Sequence, residues 1–389
     1  MATTATTRAV ASAKTLTLAA HAAFVPIGVV TVLLGPLLPW LSARWGLTYQ
    51  QAGSLFTAQF GGATLGVLLS GVLAARWGFR FAIKTGLLII ATAVALLPYS
   101  SHAAGIICVA LYGYGYGVSV PAANLMVAEV NPARRSAALN LLNFSWSVGA
   151  VACPFLIAAA IRKTLIPPAL TVLAGIMLLV VAGIQFSGGI EPAAAVKDAA
   201  PASLRWRDRS FLVLAALFFL YVGTETALGG WVASYSRSVS GASTIAVMTP
   251  SFFYMALMLG RWFAPILLRT IDEVNLARGG ILLACVATAA LIASASFPAI
   301  AVSSALAGLG LSTIYPITIS LLSRQFGARA TRVGSFMFFV TNLGGASLPW
   351  LVGFCSTRFG AIKAGLVVPL VAGVAMLALY FTKWNRVLA

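Results

Sequence analysis

The sequence predicts an all-α membrane protein: twelve transmembrane helices in two six-helix bundles, with both termini cytoplasmic. Three observations carry this. First, the 389 residues are 60% hydrophobic and only 8% charged, with a mean hydropathy of +0.98. Soluble domains carry about a quarter charged residues, and a compact globule with so few could not cover its surface. That excludes a water-soluble enzyme. Second, the apolar residues fall into runs of about 20, the length that crosses the hydrocarbon core. Third, the basic residues lie singly or in pairs between those runs, as the positive-inside rule places them.

Cutting at charges, Pro/Gly turns and polar clusters gives spans at 16–42, 49–75, 82–100, 104–129, 136–161, 166–187, 211–236, 244–268, 277–296, 299–323, 333–355 and 361–382. With both termini inside, eighteen of the 25 basic residues fall on the cytoplasmic side and six on the outer side. That asymmetry orients the chain. The longest polar stretch, 188–209, has a Pro/Ala-rich centre flanked by charges, and it separates a first bundle (1–187) from a second (210–389). Six helices, a cytoplasmic linker and six helices is the plan of two parallel bundles about a central cavity.

The net charge of +18 does not point to nucleic acid, because the basic residues form no block. Cys108, Cys153, Cys285 and Cys355 fall in four different apolar segments, so neither a disulfide framework nor a zinc site is expected. No metal or cofactor is expected, and seven acids with two histidines leave few groups for acid–base chemistry. Met1 to Lys14, rich in Ala, Thr and Ser and free of acids, faintly resembles a transit peptide. It reads instead as a short cytoplasmic tail feeding an uncleaved helix.

Glu225 is the acid placed well inside an apolar span, the seventh. An ionised carboxylate at that depth costs several kcal/mol unless it is paired or faces water. Glu225 should therefore line the cavity, either neutral or hydrogen-bonded, as a ligand for substrate hydroxyls, as a proton carrier, or as both. A purely structural glutamate bonded across helices is the competing reading. Helical spacing puts Tyr221, Glu225 and Leu228 on one face, with Trp231 and Val232 near its continuation.

In span five, Asn143 and Trp146 are three residues apart and share a face. An amide beside an aromatic plate suits a sugar, whose C–H face stacks while the amide reads hydroxyls. Helix–helix hydrogen bonding is the plainer alternative for asparagine in a membrane. Gln59, Asn124 and Asn342 pose the same choice in spans two, four and eleven. With Tyr315 and Trp231, these amides complete a candidate site for a polar, uncharged ligand. Tyr112, Tyr114 and Tyr116 alternate with glycines that allow close packing.

The loop after span two runs from Gly71 through Arg76 and Gly78 to Arg80. It resembles the loop signature Gly-x-x-x-Asp-Arg-x-Gly-x-Arg of the major facilitator superfamily, with Ala75 at the aspartate position. Glu129, at the cytoplasmic end of span four, is placed to pair with Arg76 or Arg80 as a latch in one conformation; an ordinary interfacial glutamate is the alternative. Gly149 to Pro154 is similar to the fifth-helix Gly-Pro signature of drug:proton antiporters. Cys153 replaces its last glycine, and Ile157-Ala158 replaces its Gly-Gly pair. Arg261, after Gly260, reads as a structural counterpart of the first-half loop arginines.

Over nearly its whole length the chain resembles the fucose–galactose–glucose:proton symporter family within that superfamily. The stretches Phe219–Glu225, Ser251–Arg261, Gly308–Pro316 and Leu139–Asn143 carry the likeness. It implies a monomeric transporter in a bacterial cytoplasmic membrane, taking up a hexose or related sugar by alternating access, with a proton or sodium as coupling ion. Members carry an acid in helix one and another in helix four, where this chain has Gly35 and Val120. Either Glu225 alone couples the proton, or this member is a uniporter. The rival class is a proton-coupled efflux antiporter for drugs, lipids or other amphipaths; the altered fifth-helix signature and the neutral amides speak against it.

Overall fold

A computed structural model describes residues 2–186, 209–241, 244–327 and 330–381. The segment 188–208, most of the expected linker, lies outside the described residues. The elements are α1 (Ala2–Val32), α2 (Leu34–Trp45), α3 (Tyr49–Trp77), α4 (Phe79–Leu96), α5 (His102–Val130), α6 (Arg135–Arg162), α7 (Ile166–Phe186) and α8 (Arg209–Ser240). They continue with α9 (Thr249–Leu267), α10 (Glu273–Ala293), α11 (Phe297–Leu311), α12 (Ile314–Phe326), α13 (Ala330–Arg358), α14 (Ile362–Gly365) and α15 (Val367–Tyr380). No strand occurs among the described residues. Among the described residues eleven helical stretches are long and apolar enough to cross a membrane, and α9, 19 residues long, covers the expected eighth span, which is not one of the eleven.

Three spans predicted as continuous are each two helices. The breaks fall at Leu33, at Ser312–Thr313 and at Leu366, each a few residues before a proline: Pro36, Pro316 and Pro369. Proline has no N–H to give the carbonyl four residues back, and its ring crowds that carbonyl. At the first break the Leu33 N–H bonds the Val30 carbonyl at 3.3 Å, a tightened turn. Pro26, Pro121, Pro154, Pro265 and Pro349 lie within unbroken helices. Neighbouring helices can re-satisfy the freed groups in a membrane protein, so proline alone does not fix a break.

The chain divides into two compact units. The first holds residues up to Leu33 and those from Ala58 onward through α7; the second holds Leu34–Thr57 and the elements from α8 onward. Each unit repeats the same neighbour plan. In the first, α1 packs on α6, α4 on α5 and α4 on α7; in the second, α8 packs on α13, α10 on α11 and α10 on α15.

Glycines set these crossings at matching places. A Cβ on Gly149 would stand 2.0 Å from the Val25 carbonyl oxygen, and one on Gly344 would stand 2.0 Å from that of Phe219. Gly86 and Gly115 face each other so that either Cβ would meet the other's carbonyl oxygen at 2.5 Å; Gly280 and Gly310 repeat this with the same distance. Lipid offers no hydrophobic drive between helices, so close backbone approach at small residues provides the packing energy. The glycines among the tyrosines of α5 serve this end: a Cβ on Gly113 would stand 2.0 Å from the Gln59 carbonyl oxygen, and one on Gly117 would stand 2.1 Å from that of Ala63. In the loop after α3, Gly78 has φ 89°, a left-handed conformation that favours glycine.

Candidate functional site

The polar centre of the second unit is built on Glu225, midway along α8. The Arg261 guanidinium of α9 lies 3.7 Å from its carboxylate, as an ion pair too long for a direct hydrogen bond. The same guanidinium donates to the Tyr221 hydroxyl at 3.1 Å, one turn before Glu225, and through Nε to the Ser312 carbonyl at 3.4 Å. That carbonyl is available because Pro316 has no N–H for it, so the break between α11 and α12 creates the arginine's third anchor. Tyr315, just past the break, sets its ring 5.7 Å from those of Tyr221 and Phe218. Glu225 is thus a charge-compensated carboxylate, not a bare one. Its side chain is 16% exposed and that of Arg261 26%, so both can be reached by a polar ligand.

The remaining second-unit candidates part company. Trp231 is fully buried and donates its indole N–H to the Pro349 carbonyl at 2.9 Å, with its ring against those of Tyr49 and Phe56. It is not brought to the Glu225 group. Asn342 is half-buried on α13.

In the first unit, Gln59 is buried. It donates to the Thr31 carbonyl at 3.0 Å and accepts from the Tyr112 hydroxyl at 3.3 Å. Thr31 lies in the last turn of α1, where carbonyls lose their helical donors, so a broken helix again supplies the acceptor. Trp146 donates its indole N–H to the Thr31 hydroxyl at 3.2 Å. Asn143 is exposed and half-buried Asn124 lies on α5; each gives its amide nitrogen to the carbonyl one turn back, at 2.9 Å. Asn143 and Trp146 do not bond each other, and Thr31 is the hub that joins Gln59 to Trp146.

Two ion pairs occur among the described residues, Arg261–Glu225 and Arg324–Glu273. Glu129 is exposed and in neither, while Arg76 stacks over the Trp77 ring at 4.9 Å and Arg80 is half-buried. The expected latch is not among these two pairs. The second unit does carry such a tie: Glu273, opening α10, accepts from Arg324 at 2.7 Å and from Ser320 at 3.2 Å. If Glu129 pairs with Arg76 or Arg80 in another conformation, Glu129→Gln shifts the population by a surface-pair energy of about 1 kcal/mol at most. Cysteine accessibility at the cytoplasmic ends of α5 and α12 reads that shift, and identical labelling in both proteins excludes the latch.

Arg261 as the partner of Glu225 was not foreseen, since its place in sequence suggested the inner end of span eight. An arginine and a glutamate inside neighbouring apolar spans is the signal that would have found it. Thr31 and His21 were also passed over.

Apolar spans in two like-built halves, each with polar groups inside the bundle, are the architecture of a multi-span membrane transporter. The chain belongs to the Major Facilitator Superfamily, whose family model matches residues 21–292. The Glucose/galactose transporter of Brucella abortus is 26% identical over 369 residues, covering 88% of each chain. The solved nucleoside transporter NupG superposes with a TM-score of 0.77 at 12% identity, over 94% of this chain and 98% of its own. FucP in its outward conformation gives 0.64 at 19% identity, over 94% and 97%.

Proposed function

We propose that the protein moves a hexose or related sugar across the bacterial cytoplasmic membrane by alternating access, driven by protons and acting as a monomer. The end-to-end likeness to the Brucella glucose/galactose transporter carries this reading. The polar groups agree with it. Arg261 and Glu225 cancel each other's charge, and the amides of Asn124, Asn143 and Asn342 are neutral, which suits a ligand rich in hydroxyls and lacking charge. Arg261 and Glu225 offer donors and an acceptor to adjacent sugar hydroxyls, the buried Tyr221 hydroxyl braces Arg261 from within, and the half-buried Tyr315 ring offers a stacking plane. We assign Glu225 to sugar binding, because its charge already has a partner.

Proteoliposomes loaded with unlabelled hexose test the reading. They should exchange labelled glucose, galactose or fucose, and should concentrate one of them when an inward proton gradient is imposed. Absence of exchange for every hexose overturns the proposal, and gradient-driven extrusion of amphipathic cations instead would establish the efflux class. Glu225→Gln keeps the shape of the carboxylate but removes its charge-assisted bonds, so affinity should fall about tenfold, the loss of one such bond. Unchanged affinity would remove Glu225 from the site.

A further inference from the structure

The first unit holds an ionisable group inside the membrane that the sugar site does not use. His21 lies on α1, within the apolar stretch Lys14–Val32, and its side chain is half-buried. Ionisable residues at membrane depth are costly and mark substrate or proton pathways. Its Nδ1 lies 2.8 Å from the Ser145 hydroxyl of α6. That hydroxyl also lies 3.4 Å from the Leu141 carbonyl, one turn back on α6. The chain His21–Ser145–Leu141 serves Nδ1 whether or not that nitrogen carries a hydrogen. When Nδ1 is a bare acceptor, the serine donates to it; when Nδ1 carries hydrogen, the serine accepts and turns its own hydrogen to the carbonyl.

The charges around His21 are sparse. Of the elements packed on α1, α5 bears His102 at its start and Glu129 at its end, and α6 bears Arg135 and Arg162 at its two ends. Arg134 precedes α6, and α7 bears no charged residue. Lys14 begins the apolar stretch of α1 itself. No carboxylate lies within ion-pair distance of His21 among the described residues. Protonating His21 therefore changes the net charge of the bundle interior. Protonating Glu225 would instead strand Arg261, at the cost of an uncompensated buried charge.

From this juxtaposition we propose that His21, held by Ser145, is the proton-binding group that couples transport, while Glu225 with Arg261 binds the sugar. The neutral imidazole takes one proton from the side of high proton concentration and returns it to the other side with the sugar, so no other bond changes. This rests on the sugar-transport reading, and two measurements keep the two separable.

The first is gradient-driven accumulation against exchange in proteoliposomes. His21→Gln should reduce the accumulation ratio to about one and leave exchange within about twofold, while Glu225→Gln should weaken affinity and keep a ratio above one. Retention of the wild-type ratio in His21→Gln overturns the proposal. So does hexose exchange by the wild type with no accumulation, although sugar transport then stands. The second needs no sugar: NMR of the protein labelled at histidine, which has two such residues, His21 and His102. His21→Gln assigns the signals by removing one. The His21 ring should change charge state between about pH 5 and 8, the range in which histidine titrates, and Ser145→Ala should move its midpoint. A ring locked in one state across that range, or a midpoint indifferent to Ser145→Ala, overturns the assignment even if the substrate is not a sugar.

Discussion

Arg261→Leu is expected to cost about 1–3 kcal/mol of stability, because it leaves the part-buried Glu225 carboxylate without its counter-charge inside the bundle. The Tyr221 hydroxyl and the Ser312 carbonyl lose their shared donor at the same time. Thermal unfolding of detergent-purified protein measures the loss. The double variant Arg261→Leu with Glu225→Gln should recover much of it, since a neutral amide needs no compensation, yet should still bind sugar weakly. If Arg261→Leu melts with the wild type, the pair contributes nothing to the fold. If the double variant melts no higher than the single one, the damage lies in packing and not in charge.

Adjacent glycines of α3 should respond with opposite sign. A Cβ at Gly61 meets nothing within 4 Å, whereas a Cβ at Gly62 would stand 2.0 Å from the Ala110 carbonyl oxygen of α5. Gly61→Ala should stabilise by up to about 1 kcal/mol through helix propensity alone. Gly62→Ala must push α3 and α5 apart, at about 1–3 kcal/mol, and Gly62→Val should prevent recovery of folded protein. Melting temperature and monodispersity in detergent report both. Equal behaviour of Gly61→Ala and Gly62→Ala would refute the backbone contact.

The twelve spans were legible because apolar length and the placement of basic residues are written along the chain, one span at a time. Breaks were less so: Pro36, Pro316 and Pro369 end helices while Pro121 and Pro154 do not, and the difference lies in how neighbours satisfy the freed groups. Glu225 stood out because a carboxylate in an apolar run is conspicuous by itself. Its partner did not, since pairing α8 with α9 at the right depth depends on how the two helices cross. Trp231 was misplaced by assuming a straight continuation of the Glu225 face. Six residues at about 100° each turn it about 120° away, and the indole goes into the bundle. The amide of Gln59 was seen as polar, but its tie to Thr31 depends on the end of α1 at Val32, which sequence periodicity does not locate.

The glycine crossings have a consequence at the level of the gene. Every glycine codon begins with two guanines, so any change at either position installs a Cβ or a stop. At Gly62, Gly113, Gly149 and Gly344 that added carbon has no vacant volume, and even alanine, the smallest such outcome, collides with a backbone oxygen. These codons should therefore accept changes at the third base and almost nowhere else. Gly61, Gly71, Gly175 and Gly183, where an added Cβ meets nothing within 4 Å, should also accept the second-base changes to alanine and valine, while the changes that install Arg, Asp or Glu at membrane depth stay excluded. A library of single-base variants selected for transport would separate the two groups by codon position alone.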